Sequence, residues 1–160
     1  LTADEYLADP NTPERSELVH GEVVEVSPGF NDHALVCRAV FLALHAHVSA
    51  GQLGDVLPDG FAYRLPHRND TVLKLAPDLA VEVLSESDRP GVLRKKVGDY
   101  LDAGTAVVWL VDLDEREVEV REPGAQPRWV AEDGTLDGGA ALPELRVPVA
   151  ELFVDVAREG

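Results

Sequence analysis

The fold is decided by residues 77–109, which read PDLAVEVLSESDRPGVLRKKVGDYLDAGTAVVW. Leu79 to Leu84 is β-prone and nearly continuous in apolar residues, which is typical of a strand covered on both faces of a sheet. A helix is predicted from Gly91 to Ala103, with Gly104 placed to end it. Ala106 to Val111 reads as a second buried strand. A strand, a helix and a strand in this order predict a parallel βαβ crossover.

One charged side chain interrupts the first of these strands. A carboxylate buried at Glu82 without a partner would be costly, so it must meet a cation, a metal ion or strong hydrogen-bond donors. Lys96 lies on the following helix, and the crossover can bring its ammonium back over the end of the strand, although a lysine at such a position is by itself more often a surface residue. The residues alone leave two interpretations open, a structural salt bridge and a functional site.

Working outward, the patterns predict further elements on both sides. Thr2 and Glu5 fit a capping box, Asp32 is placed as the N-cap of a long helix, and Gly51 is placed to end it. The tail after residue 121 is rich in Gly and Pro and is expected to add one strand and a final turn. The predicted elements are helix Thr2–Ala8, strands Glu17–Val19 and Glu22–Val26, helix His33–Ala50, strands Asp55–Leu57, Phe61–Leu65, Val72–Leu75, Glu117–Arg121 and Trp129–Ala131, and a turn at Val149–Phe153.

Length and composition limit the class of protein. With 160 residues, 45% of them hydrophobic, we expect one domain spanning residues 1–160, of α/β class, with a mixed sheet and helices on its faces. The apolar runs are shorter than the ~20 residues of a membrane span, and the acidic start of the chain does not resemble a signal peptide. We therefore expect a soluble, cytoplasmic protein with no membrane partner. The single cysteine, Cys37, argues against disulfides and cysteine-based zinc sites.

The formal charge of −16 argues against broad contact with nucleic acid, because phosphate binding depends on Lys and Arg displacing counterions. A DNA contact would need a local basic patch. The densest candidate is the cluster Arg89, Arg94, Lys95 and Lys96, although such a cluster on a helix is more often only a solvated face.

A resemblance sharpens this reading. Four segments carry it, namely 76–85 (APDLAVEVLS), 94–100 (RKKVGDY), Ala103-Gly104 and 108–112 (VWLVD), and upstream residues 17–22 (ELVHGE), Ser27-Pro28 and His33 extend it. The chain resembles the Uma-two family of restriction endonucleases, within the PD-(D/E)xK nuclease superfamily, over most of its length up to about Arg121. The resemblance implies a restriction-endonuclease-like fold and hydrolysis of phosphodiester bonds in nucleic acid, with DNA the favoured substrate, dependent on Mg²⁺ or Mn²⁺.

The resemblance also assigns site residues. It makes Glu82 the strand carboxylate that binds the metal. It makes Lys96 the catalytic lysine, which has moved from the strand to the helix, and Leu84 therefore occupies the usual lysine position on the strand. Glu17 and His33 match positions near the site in a supporting role, although a strand-edge charge and a polar residue of a first helical turn explain them equally well. A homodimer is expected by analogy with related nucleases.

Asp78 is the second metal ligand by analogy, but its spacing from Glu82 is unfavourable. Residues four apart in a straight strand have Cα atoms about 13 Å apart, too far to share one ion. Relatives usually carry an earlier Pro-Asp strand, whereas this sequence passes directly from residues 70–74 into the second. Either the earlier Pro-Asp strand is deleted, which leaves an impaired or inactive nuclease-fold protein that acts as a binding or regulatory module, or the strand is present in a longer protein and absent from the 160 residues of this sequence. A different metal-dependent hydrolase on the same fold is a third reading.

Overall fold

The predicted crossover forms, and the rest of the described structure is arranged around it. The computed structural model describes residues 1–13, 16–25, 31–58, 76–85 and 88–157. Within them the helices are α1 (Ala3–Ala8), α2 (Asn31–Gly51), α3 (Pro90–Ala103) and α4 (Val149–Leu152). The strands are β1 (Ser16–Val19), β2 (Glu22–Glu25), β3 (Leu79–Val83), β4 (Val107–Asp112), β5 (Glu117–Arg121), β6 (Arg128–Val130), β7 (Thr135–Gly138) and β8 (Leu142–Pro148).

A mixed sheet with strand order β3-β4-β5-β6 holds the crossover. β3 runs parallel to β4, with Glu82 opposite Leu110, and the remaining pairs in this sheet are antiparallel. The pairing continues one residue past β3, because the Leu84 N–H donates to the Val111 carbonyl at 2.8 Å. β1–β2 and β7–β8 form two separate antiparallel pairs. The predicted mixed sheet and the extent of its first strand are therefore confirmed.

β4 separates two packed layers. On one face, Val107, Trp109 and Val111 join the larger buried cluster, which also takes residues from α2, α4, β7 and β8. On the other face, Val108 and Leu110 pack with side chains from β3 and α3. The alternation of side chains along a strand therefore sends one set toward α2 and the other toward α3. Any polar residue on the second face of β3 must point at α3.

α2 packs on the sheet through a stripe that includes Val36, Val40 and Leu44. By length and composition residues Asp32–Gly51 would also suffice to cross a membrane, with a mean hydropathy of 1.5, which the sequence analysis did not expect. The core helix of a water-soluble protein passes the same test, but only 22% of this window is buried, and α2 contacts the core through the stripe of Val36, Val40 and Leu44.

The ends of the helices were predicted with mixed success. The capping box at Thr2 and Glu5 is present, and Gly104 adopts the left-handed conformation that ends α3, with φ 108°. Asp32 is not the N-cap of α2, because the helix already includes Asn31. Gly51 is still helical, and the positive φ of 51° falls on Gln52.

Two strand predictions were wrong. Residues 53–58 form no helix or strand, so the strand predicted at Asp55–Leu57 is absent. The tail forms three strands instead of one, because the alternating Leu145, Val147 and Val149 are buried despite the neighbouring Gly and Pro. The strands predicted at Phe61–Leu65 and Val72–Leu75 lie outside the described residues.

Because β4 is buried, replacing each of the two tryptophans by alanine should lower the free energy of unfolding by very different amounts. Trp109 is fully buried, whereas Trp129 on β6 is 57% exposed. We expect Trp109→Ala to lower the free energy of unfolding by about 3–5 kcal/mol, because it leaves a cavity in the core. Trp129→Ala is the matched control and should cost less than about 1 kcal/mol. Urea unfolding followed by circular dichroism measures both; equal losses would contradict this placement of β4.

Candidate functional site

Glu82 lies on the face of β3 that points at α3. Its neighbours Val81 and Val83 pack against the larger core, so the alternation of the strand turns Glu82 to the other side. Its side chain is 19% exposed. The parallel pairing with β4 fixes the backbone at this point, and the charged group therefore has a defined position near the end of the strand.

α3 supplies a partner to each oxygen of this carboxylate. Lys96 Nζ lies 2.8 Å from Glu82 Oε2, and the Tyr100 hydroxyl donates to Oε1 at 2.9 Å. Lys96 and Tyr100 are four residues apart, so they share one face of the helix. Tyr100 is buried, and Lys96 is 20% exposed. The sequence predicted Lys96 here, while the role of Tyr100 was missed; its spacing from Lys96 was the available signal.

The β1–β2 hairpin brings a second carboxylate. Both oxygens of Glu17 lie 2.8 Å from Lys96 Nζ, so one ammonium bridges two glutamates from strands distant in sequence. His20, in the turn of the hairpin, lies with its Nε2 2.9 Å from Asp99 Oδ1, on α3 three residues beyond Lys96. The hairpin is thus attached to α3 at two points. His20 and Asp99 were not predicted, because a contact across so many residues leaves no local pattern.

His33 holds the backbone beside Glu82. Its Nε2 lies 3.0 Å from the carbonyl oxygen of Val83, the residue that follows Glu82. A carbonyl oxygen only accepts, so Nε2 donates, and Nδ1 is left to accept from the thiol of Cys37 at 3.6 Å. His33 therefore reaches the site through the main chain of β3, as a supporting residue would.

Burial and charge act against each other on the two central groups. Burial raises the pKa of Glu82, as does the charge of Glu17, although Lys96 and Tyr100 act to lower it. Burial acts to lower the pKa of Lys96, but the two carboxylates outweigh it, and the net pKa of the lysine is raised. Lys96 therefore stays protonated at neutral pH. Two acidic side chains thus share one ammonium; Glu82 is mostly buried, whereas Glu17 is 43% exposed.

The donor set suits a hard dication. Mg²⁺ binds oxygen ligands and commonly takes only one or two protein carboxylates, the rest being water and substrate phosphate. The point that Glu82 and Glu17 share is held by the Lys96 ammonium, so a dication would use the remaining lone pairs of the two carboxylates, each of which has about four lone-pair sites. No group of three or more His, Cys, Asp or Glu side chains able to hold a metal occurs among the described residues. The arrangement fits a dication held by few protein ligands and completed by substrate.

Asp78 lies apart from this group. Its side chain is exposed, and its carbonyl accepts from the backbone N–H groups of Ala106 and Val107 at 3.0 and 3.3 Å, which fixes the start of β3. Glu82 is four residues further along the same extended strand, about 13 Å away by Cα. Its assignment as a metal ligand stays a prediction. Residues 70–74, where the resemblance leads us to expect an earlier Pro-Asp strand, lie outside the described residues.

Comparison with known proteins gives two findings. The profile of the Uma2 family, described as "Putative restriction endonuclease", matches residues 3–150. The chain is also similar to a solved structure from Anabaena variabilis, titled as that of "a putative nuclease belonging to DUF820". The TM-score is 0.77 at 23% identity, over 96% of this chain and 98% of that one. At that identity the likeness concerns the fold, and the predicted restriction-endonuclease-like fold is confirmed. No curated protein matches the chain.

The ion pair predicts how stability responds to the loss of Lys96. In Lys96→Met the carboxylate of Glu82 stays buried without its cation, so we expect its pKa to rise further and the free energy of unfolding at pH 7 to fall by about 3 kcal/mol. The ionised form carries the penalty. Lowering the pH through the raised pKa protonates Glu82, and the difference from wild type should shrink.

Urea unfolding at pH 7 and at pH 5 measures this effect. Lys95→Met is the matched control, because Lys95 is the exposed neighbour of Lys96, and it should change stability by less than about 0.5 kcal/mol. Equal stability of the two variants at pH 7 would contradict the buried pair.

Proposed function

The chain belongs to the Uma2 family, and from that premise we propose that it is a metal-dependent endonuclease that hydrolyses phosphodiester bonds of DNA. The observation that carries the proposal is the contact of 2.8 Å between Lys96 Nζ and Glu82. A carboxylate at the end of a sheet strand and a protonated lysine at the same point are the two groups that such a hydrolysis requires of the protein.

The residues divide the work as follows. Glu82, with Glu17 as the second oxygen donor, would hold the dication. A bound Mg²⁺ or Mn²⁺ would polarise the phosphate and lower the pKa of the attacking water. The Lys96 ammonium is placed to stabilise the negative charge that develops on the phosphate oxygens, and the poorly solvated position strengthens that interaction.

Three residues act by positioning the others. Tyr100 fixes Oε1 of Glu82, so that the carboxylate keeps one orientation. His33 anchors the Val83 carbonyl, and His20 ties the hairpin to α3 through Asp99. These contacts pre-arrange the charged groups before substrate binds, which is the condition under which electrostatic stabilisation lowers a barrier most.

A silent nuclease-fold protein is the competing reading. Its support is that Lys96 is already bonded to two carboxylates, as in a closed structural ion-pair group. The two readings differ in the effect of Glu82→Gln, which removes the charge and keeps the size of the side chain. An active enzyme loses cleavage in this variant, whereas a structural ion pair has no cleavage to lose.

The test is cleavage of a DNA plasmid and oligonucleotides with Mg²⁺, with Mn²⁺ and with EDTA. We expect cleavage only with the metal, and a fall on the order of 10²-fold or more in Glu82→Gln, because the amide is a poor ligand for a hard dication. Lys96→Met should lose activity on a similar scale. Circular dichroism should show that Glu82→Gln is still folded, so that its loss of cleavage reports on chemistry. Metal-dependent cleavage that is equal in wild type and Glu82→Gln would overturn the assignment.

Two further variants serve as matched carboxylate controls. Glu22 lies exposed on the same hairpin as Glu17, and Asp78 lies exposed just before β3, the strand of Glu82. We expect Glu17→Gln to reduce cleavage, while Glu22→Gln and Asp78→Asn keep it. A loss in Asp78→Asn as large as that in Glu82→Gln would return Asp78 to the ligand set in place of Glu17.

A further inference from the structure

The start of α3 presents positive charge to solvent directly beside the site. We propose that Arg89, Arg94 and Lys95, here called the α3 cation patch, bind successive phosphates of one nucleic acid strand and hold that strand against Glu82 and Lys96. This inference rests on the proposed function for the identity of the polyanion, and it names the surface that receives it.

The exposed cations without a carboxylate partner are concentrated in the patch. In a chain with 30 acidic and 14 basic residues, six described cations are exposed, and two of them, Arg38 and Arg128, lie within 4.0 Å of a carboxylate. Of the four that make no ion pair with a described carboxylate, three are the patch residues and the fourth is Arg146. The described cations within 4.0 Å of a carboxylate are Arg38, Lys96, Arg116, Arg121 and Arg128.

The local structure keeps the patch open. Arg89, Arg94 and Lys95 are all exposed, and the first turn of α3 contains no acidic residue. The guanidinium of Arg94 lies back over the first turn, since a Cβ placed on Gly91 would be 3.9 Å from its Nη2. Arg94 thereby brings its charge toward the helix end where Arg89 lies. The three charges therefore lie within about two turns of α3.

The dimensions match a run of phosphates. Residues 89–95 span about 9 Å along the helix at 1.5 Å per residue. One nucleic acid strand carries a charge about every 3.4 Å along its axis, so this length corresponds to two or three phosphates. Lys96 follows Lys95 directly and turns inward to Glu82. Lys95 and Lys96 point about 100° apart around the helix, so a strand bound at Lys95 would have to follow the surface of α3 round to the candidate site.

The negative charge of the whole molecule limits where a nucleic acid strand can approach it. A molecule at −16 repels a polyanion over most of its surface, and a local positive patch is then where a strand can approach. Binding through so few contacts should be weak and strongly dependent on salt. The competing reading, that the patch is only a solvated helix face, predicts no loss of binding when its charges are removed.

The experiment compares two triple variants of equal net charge. One is Arg89→Gln, Arg94→Gln and Lys95→Gln; the control is Arg38→Gln, Arg128→Gln and Arg146→Gln, three exposed arginines elsewhere. Each removes three positive charges and takes the formal charge from −16 to −19. Binding of a fluorescein-labelled DNA duplex and of a single strand is measured by anisotropy across a KCl series, with Ca²⁺ in place of Mg²⁺ and gel analysis to confirm an intact probe.

The patch variant should bind DNA at least about tenfold more weakly than wild type at low salt, and the slope of log K against log [KCl] should shrink by about 2–3, close to 0.9 for each lost phosphate contact. The control variant should stay within about twofold of wild type, because distant charges are screened. In cleavage assays the patch variant should raise KM and leave kcat unchanged, since it removes binding that is equal in the ground and transition states.

The outcomes separate this inference from the proposed function. Equal losses in the two triple variants, unchanged binding in the patch variant, or no DNA binding by wild type would each overturn the patch. If wild type cuts DNA through Glu82 and the patch variant behaves like it, the patch is wrong and the nuclease stands. If the patch variant alone loses binding while Glu82→Gln leaves turnover unaltered, the patch stands and the nuclease assignment fails.

Discussion

A carboxylate buried on the face of a sheet needs a cation or hydrogen-bond donors beside it, and the arrangement around Glu82 follows from that constraint. Its strand is fixed by parallel pairing with β4, so the charge cannot move to solvent, and α3 must return over the strand with Lys96 and Tyr100 facing it. One ammonium then serves two carboxylates, because the β1–β2 hairpin adds Glu17. The proposed binding of a dication rests on these two oxygen-donating side chains.

Stability and chemistry are assigned to opposite faces of the same sheet. Trp109 and its neighbours on β4 pack toward α2 and the β7–β8 pair in the larger apolar cluster, and the Arg116 guanidinium lies 4.8 Å from the centre of the Phe153 ring in that cluster. The face toward α3 is smaller and contains the charged residues. The larger core can therefore bear the cost of burying Glu82 and Lys96, in line with the general observation that active sites hold groups that a purely structural design would avoid.

The sequence was most informative where the relevant contacts are local. β3, α3 and β4 were predicted from apolar runs and from Gly104. The crossover only allowed Lys96 to reach Glu82, and the family resemblance selected it as the partner that the structure shows. The hairpin contact with α3 could not be derived in this way, because His20 and Asp99 are brought together only by tertiary packing. Glu17 was identified through family resemblance, whereas the strands of the tail were hidden by Gly and Pro, which composition alone assigns to turns.

The most direct test of the account is a crystal structure of the protein grown with Mn²⁺, examined for the anomalous scattering of the metal. The account predicts a metal peak about 2.1 Å from a carboxylate oxygen of Glu82, with a second oxygen from Glu17 and with Lys96 still near Glu82. A metal peak elsewhere would contradict the account. So would crystals grown with excess Mn²⁺ that show no peak at Glu82 and that keep Lys96 bridging Glu17 and Glu82 as a closed ion pair.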